Sequence, residues 1–401
     1  MAKRRSLEEP KDIVVVGAAR TPNGKLLGSL SMMTATELGS IAINGALERG
    51  RVDPLAVDAV ILGNALQAGL GQCPARQAAI GAGLGWEVVC TTVNKVCLSG
   101  LSAIIDAARL IRLGEADVVV AGGMESMSNA PHLLMRSRFG YTYGAVAAVD
   151  SLVRDGLSDA WSQEAMGLDT DNRIVSYPAS REQQDEFSAR SHQRAAEAWR
   201  AGIFEQEVVP VRINDRRGGA NVVDRDEGVR ADTTAESLVG LRPAFRQDGT
   251  ITAGNASQIS DGAAAVVLTT RARAEVEGWL TLATLRASGQ VAGPSPALAP
   301  QPANAIRRAL EREGWSAVDL DLVEINEAFA AVGVYSATDL GLPLDVVNIH
   351  GGAIALGHPL GQSGARLVVH VAHELARRGV GRAAVALCGG TGQGDALLME
   401  A

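Results

Sequence analysis

The chain has 401 residues, room for about two or three domains, and its 47% hydrophobic and 20% charged residues exclude a disordered polypeptide. Aromatics make up 3% and glycine accounts for 45 residues, so the core must be built from Ala, Val, Leu and Ile with tight turns between elements. A net charge of −8 argues against nucleic acid as the main partner while leaving an anionic small ligand open, and four scattered cysteines form neither a disulfide framework nor a zinc motif.

Met1–Glu9 holds basic residues with no apolar stretch behind them, so no secretory signal is read there. No run of about 20 apolar residues exists to span a membrane. The cysteine usage suits a reduced compartment, and the expectation is a cytoplasmic protein.

In chain order, Asp12–Gly17 predicts a short strand that runs into a turn at Ala18–Pro22, followed by a helix over Thr36–Arg49 and a second strand at Ala59–Asn64. Val88–Val93 is β-branched and apolar, the composition of a buried strand. Leu101, Ile104, Ile105, Ala108 and Ile111 then recur at helical spacing until Gly114. Cys97 therefore falls at a strand-to-helix turn, with Ser99 and Gly100 keeping that turn small. Free backbone N–H groups and the positive end of a helix there favour thiolate. Alone, such a cysteine is more often a buried structural thiol.

Asp117–Gly123 predicts another strand, ending in paired glycines. From about Met124 to Asn255 the composition shifts to Met, Ser, Arg and Asp, punctuated by Pro178, Pro210 and Pro243, with one helix from Arg181 to Ala201. This reads as a long insertion. Gly254–Ser257 then leads to a buried strand at Gly262–Leu268.

The remainder repeats the first part. Ala46–Arg49 recurs as Ala309–Arg312, an offset of 263 at which Asp58 meets Asp321 and Val60 meets Val323. Ser99–Gly100 meets Ser363–Gly364 at 264, and Gly122–Gly123 meets Gly389–Gly390 at 267, the drift being assigned to loop-length changes. The expected architecture is two similar α/β halves packed face to face. The second half carries polar groups at its turns: Asn326 after the strand Val323–Ile325, His358 at the tip of the glycine-rich loop Gly351–Gly364, and Cys388 on a strand entering Gly389–Gly394. By the glycine match, Cys388 corresponds to Ala121. Pseudo-equivalent halves bring Cys97, His358 and Cys388 to one surface at strand ends.

The segments VNKVCLSG, NEAFA, GHPLGQSGAR and CGGTGQG, with GNASQISDGAA and LGNALQAGLGQCPARQAA, resemble the thiolases, specifically acetyl-CoA acetyltransferases, nearly end to end and in order. The resemblance implies a thiolase fold, two similar βαβαβαββ halves in a layered α/β/α/β/α core. The division expected here is 1–127 plus 256–278 for the N-terminal half, 128–255 for a loop domain with CoA-binding and oligomer contacts, and 279–401 for the C-terminal half. It implies Cys97 as the nucleophile that takes the acyl group, and His358 as the base that removes its proton. Cys388 is then the acid/base at the α-carbon of the incoming acetyl group, with a thiol pKa moved toward neutrality. One oxyanion hole is formed by His358 with a water held by Asn326, the other by the N–H groups of Cys97 and Gly390. Ser257, with Ala256 beside it, matches the pantetheine contact; Arg230 matches a basic residue near the nucleotide end; Met166 and Phe329 match the tunnel lining. For Arg230 a solvated loop charge, and for Met166 ordinary packing, stand as equal or better readings.

No bound cofactor and no metal are expected, only acyl-CoA substrates, in a homodimer or homotetramer. Three positions depart from the family pattern: Ala165 where biosynthetic members have His, Thr391 (with Gly389) where CIGGG is commoner, and Gln362 in the His loop. They leave the acyl-chain preference open, with a longer-chain 3-ketoacyl-CoA thiolase of fatty-acid β-oxidation as the alternative. An alternative of another class is a non-catalytic thiolase-like acyl-CoA-binding or scaffold subunit.

Overall fold

The computed structural model describes residues 12–214 and 219–401, so the basic segment Met1–Glu9 lies outside the described residues. The first half runs β1 (Ile13–Arg20), α1 (Ala35–Gly50), β2 (Ala59–Gly63), α2 (Pro74–Gly81), β3 (Val89–Val93), α3 (Ser99–Leu113) and β4 (Val118–Ser126). A long insertion follows, containing α4 (Arg181–Arg200), before β5 (Ser260–Thr270) completes the half. The second half is β6 (Ala283–Ala292), α5 (Gln301–Glu313), β7 (Leu322–Ile325), α6 (Ala330–Leu340), α7 (Leu360–Arg378), β8 (Arg382–Gly389) and β9 (Gln393–Glu400).

Helix starts follow their caps. Thr34 and Glu37 form a reciprocal capping box on α1, and Ser180 and Gln183 do the same on α4, each satisfying orphan N–H groups of the first turn. α3 and α7 end at Gly114 and Gly379, both in the left-handed conformation that glycine adopts without a Cβ penalty.

The strands run in the order β7-β8-β9-β6-β1-β5-β4-β2-β3, with β1 pairing β6 through Ile13, Val14 and Val15. The two half-sheets are thus joined edge to edge as well as packed across a shared layer. α3 and α7 fill that layer. Leu101, Ile104 and Ile111 of α3 meet Leu367, Val368 and Val371 of α7 and the inward faces of β4 and β8 in one core. On the outer sides, Leu38 and Ile43 of α1 cover Val14, Val120 and Val267, and Ile306 and Leu310 of α5 cover Val323, Ile325 and Leu398. Strands covered on both faces read as continuous apolar runs, which is why they stand out in the sequence.

Ladder register corrects one detail of the repeat. Ala59 pairs Val119 in the first half and Leu322 pairs Ala383 in the second, which sets β4 and β8 at an offset of 264. That matches the helix offset and not the 267 of the glycine pairs. Cys388 therefore corresponds to Met124, not to Ala121. The paired glycines of the two strands are a coincidence of a glycine-rich chain.

Candidate active site

Cys97 stands in the turn between β3 and α3. Val96 takes φ +52°, a left-handed conformation that costs a β-branched residue about 1–2 kcal/mol. The turn is tied down on both sides. Asn94 Oδ1 accepts from Val96 N (3.1 Å), and Ser99 Oγ accepts from Lys95 N (2.8 Å) while donating to Val96 O (2.6 Å). Lys95 Nζ and Ser102 Oγ both donate to Asp395 of β9, at 2.7 and 2.5 Å. Ser99 thus shapes the turn as expected. Gly100 does something else: a Cβ there would lie 2.7 Å from Gly361 O, so its absence lets α7 approach α3.

His358 sits just before α7, its N–H held by Gln258 O (3.0 Å). Its Nδ1 lies 2.6 Å from Ser363 Oγ, whose hydroxyl donates to Pro359 O (2.8 Å). Because that hydroxyl hydrogen is committed, the network assigns the ring proton to Nδ1 and leaves Nε2 unprotonated, an acceptor. Asn326 Nδ2 lies 3.4 and 3.5 Å from the ring nitrogens, and Asn326 Oδ1 is buried with no hydrogen-bond partner among the described residues.

Cys97, His358, Cys388 and Gly390 share the wall of one cavity of about 60 Å³. The N–H groups of Gly390 and of Cys97 itself both point at the Cys97 sulfur. Two amide donors converging on one point are the geometry that stabilises a negative oxygen or sulfur. Burial nevertheless dominates the resting electrostatics. It pushes the Cys97 thiol up to about 11 against those two hydrogen bonds, and it pushes Cys388 up as well, reinforced by Cys97. His358 falls to about 4, through burial first and the Arg366 charge second. The expected thiolate at Cys97 and near-neutral pKa at Cys388 are therefore not the resting state. Both sulfurs are thiols beside a neutral imidazole, because a helix N-terminus offers less to a thiolate than the apolar cavity takes away.

A second cavity of about 310 Å³ shares Met166, Ser257, Phe329, His358 and Leu360 with the first, so the two form one channel from the surface to the sulfurs. Ala256 bridges to Phe329, Ser257 N donates to Ala328 O (3.1 Å) and Ala330 N to Asn255 O (2.8 Å), a short ladder that zips the GNAS loop to NEAFA. Ser257, Ala256, Met166 and Phe329 accordingly line the channel together. Arg230 does not: its guanidinium lies 3.2 Å from His192, and the wall residues of the outer cavity include no arginine or lysine. Gln362 is wholly buried and donates to Asn23 Oδ1 (3.2 Å), away from the channel. Among the described residues no cluster of three or more His, Cys, Asp or Glu can hold a metal ion.

Sequence reasoning missed Ser363 as the partner of His358, although Ser99 in the repeated turn was a signal. It also missed Phe245, which lines the outer cavity. Phe245 comes from the insertion, where no motif marks it.

The family model described as Thiolase, N-terminal domain matches residues 13–272, and that described as Thiolase, C-terminal domain matches 280–401. The chain belongs to the thiolase family. As a thiolase it is an acyltransferase, and its fold is the thiolase fold. It is 57% identical to a probable acetyl-CoA acetyltransferase of Mycobacterium leprae, over 97% of this chain and 99% of that one. It is 56% identical to one from Mycobacterium tuberculosis over the same shares. The crystal structure of the Bacillus anthracis acetyl-CoA acetyltransferase superposes with a TM-score of 0.94 at 41% identity, covering 97% of this chain and 98% of that one. Of this thiolase's departures, Ala165 lines the outer cavity and leaves open the space a larger side chain would fill. Thr391 adopts φ +74° and its hydroxyl accepts from Gln393 Nε2 (3.0 Å), off the cavity wall.

Proposed function

We propose that the chain is an acetyl-CoA acetyltransferase, joining two acetyl-CoA to acetoacetyl-CoA and CoA or running the reverse thiolysis, through an acyl thioester on Cys97. The carrying observation is the meeting of Cys97, Cys388, His358 and Gly390 on one cavity. In the first half-reaction His358 Nε2 takes the Cys97 proton as the sulfur attacks the thioester carbon. The same proton passes to the CoA sulfur as it leaves. In the second, Cys388 first passes its thiol proton to His358, and the thiolate so formed removes a proton from the α-carbon of acetyl-CoA; the carbanion attacks the Cys97 thioester. The Cys97 thiolate is expelled and takes the proton held by His358, which leaves both sulfurs as thiols and the imidazole neutral.

Negative charge on the incoming thioester oxygen is met by His358 with a water on Asn326. Charge on the acyl oxygen is met by the N–H groups of Cys97 and Gly390. One such donor is worth about 10²- to 10³-fold in rate. Neutral resting thiols fit this scheme: charge appears only when substrate has displaced solvent and the donors are engaged.

The inner cavity of about 60 Å³ favours a short acyl group over an eight-carbon chain. Pantetheine occupies the outer cavity against Ser257, Met166 and Phe329, and Arg230 contributes only if it turns from His192. A cytoplasmic homo-oligomer is supported by four free cysteines and by an open edge strand, β3, on which Val89 is 67% exposed. Thiolysis rates from acetoacetyl-CoA to 3-oxoacyl-CoA of eight carbons and longer test the reading. A preference for the long chains overturns it in favour of a β-oxidation thiolase, and no thiolysis at all in favour of a non-catalytic subunit.

A further inference from the structure

Glu125, at the end of β4, is wholly buried beside this site and has no part in the steps above. Its carboxylate accepts four N–H groups. Oε1 takes Asn64 Nδ2 (2.7 Å) and Leu66 N (3.1 Å), and Oε2 takes Ala65 N and Gly361 N (both 2.9 Å). Asn64–Leu66 form the loop after β2, and Asn94 Nδ2 of the nucleophile turn donates to Ala65 O (3.1 Å). Gly361 lies in the first turn of α7, directly after the His358–Leu360 segment. One carboxylate thus spans the loop that supports Cys97 and the helix end that carries His358. Burial raises the Glu125 carboxyl to about 7, while the four donors around its two oxygens favour the ionised form, since a carboxyl hydrogen would have to point at one of them.

The repeat shows that the fold does not demand this carboxylate. At the offset of 264 its counterpart on β8 is Gly389, against which Leu98 packs. The Glu125 charge also adds, as the smallest of the causes, to the burial that works against ionisation of Cys97. The other ionisable groups around these atoms are Asp261 from β5 acting on Glu125, Cys97 itself acting on Cys388 of β8, and Arg366 from α7 acting on His358.

We propose that Glu125 is a positioning residue of the reaction, a carboxylate clamp that sets the His358 turn against the Cys97 turn. This rests on Cys97 and His358 being nucleophile and base.

E125Q keeps the shape, removes the charge and turns an NH₂ toward two of the four donors. In thiolysis of acetoacetyl-CoA its kcat falls about 10- to 100-fold with KM nearly unchanged. The pH midpoint of Cys97 alkylation by iodoacetamide, followed by mass spectrometry of the Cys97 peptide, moves down by about half to one unit. E125D keeps the charge and is one methylene short, so its kcat falls while the midpoint stays, which separates reach from charge. A wild-type kcat in either folded variant overturns the proposal. So does E125Q with raised KM and an unmoved midpoint, and so does failure of both variants to fold, which would make the carboxylate a strut. A wrong nucleophile assignment shows separately, as undiminished turnover in C97S with Glu125 intact.

Discussion

At the start of α3 the Ser99 hydroxyl donates to Val96 O at 2.6 Å, and at the start of α7 the Ser363 hydroxyl donates to Pro359 O at 2.8 Å. These are corresponding serines of the repeat, doing the same backbone work in both halves. Their surroundings differ. In the first half Val96 is left-handed, and the chain turns so that a sulfur faces two amide N–H groups. In the second half α7 begins at Leu360, the counterpart of Val96, and the serine oxygen is also claimed by His358. One scaffold used twice thus delivers two helix starts to a common cavity. The second helix begins three residues earlier in the repeat than the first, so the two starts present different side chains to that cavity.

Replacing the distinctive group of each turn breaks the comparison most sharply. Cys97→Ser is expected to lose acyl-enzyme formation and at least about 10⁴-fold in turnover, read by mass spectrometry after acetyl-CoA addition. Cys388→Ser is expected to keep acylation of Cys97 and to lose condensation by about 10³-fold, seen as a persistent acyl-enzyme. If both variants condense acetyl-CoA at the wild-type rate, the division of labour between the sulfurs is wrong. Ser363→Ala frees Nδ1 and mixes the imidazole tautomers, so kcat should drop about tenfold or more while the corresponding Ser99→Ala acts mainly through the strained turn.

The pH dependence distinguishes a neutral resting pair from an ion pair. With His358 near 4 and Cys97 near 11, the acylation rate should hold steady through neutrality and fall only as the pH approaches 4. An acid limb near the ordinary histidine value would instead indicate a resting imidazolium–thiolate pair. The smallest effect compares two exposed aspartates in the same register. Asp58 Oδ2 accepts Asp117 N and Val118 N (2.8 and 2.9 Å), and Asp321 Oδ2 accepts Arg382 N (2.8 Å). Asp58→Ala should cost about 1 kcal/mol in denaturant unfolding and Asp321→Ala about half of that.

Much of this was legible in the chain. Buried strands declared themselves because both faces are covered, and the repeat at 263 to 264 exposed the duplicated topology. The positions of Cys97, His358 and Cys388 were marked by turns of unusual composition. The charge states were not legible. Helix-end position and glycine turns pointed to a reactive thiolate, but desolvation depends on every side chain that closes the cavity, including Leu298 and Leu360 from distant segments. For Arg230 the sequence leaves a substrate contact and a solvated loop charge evenly matched, because side-chain direction in an irregular insertion has no period to reveal it. Glu125 passed unnoticed because its acceptor role joins residues 236 positions apart.

The sequence alone determined the layered α/β architecture, the two-fold internal repeat and which residues carry sulfur and imidazole, since periodicity and turn chemistry are local properties written into neighbouring residues. Only the tertiary structure decided that those groups share one cavity, that their resting forms are neutral, and that the β4–β8 register runs at 264. Each of these depends on the dielectric, donor set and pairing that distant segments create when they meet.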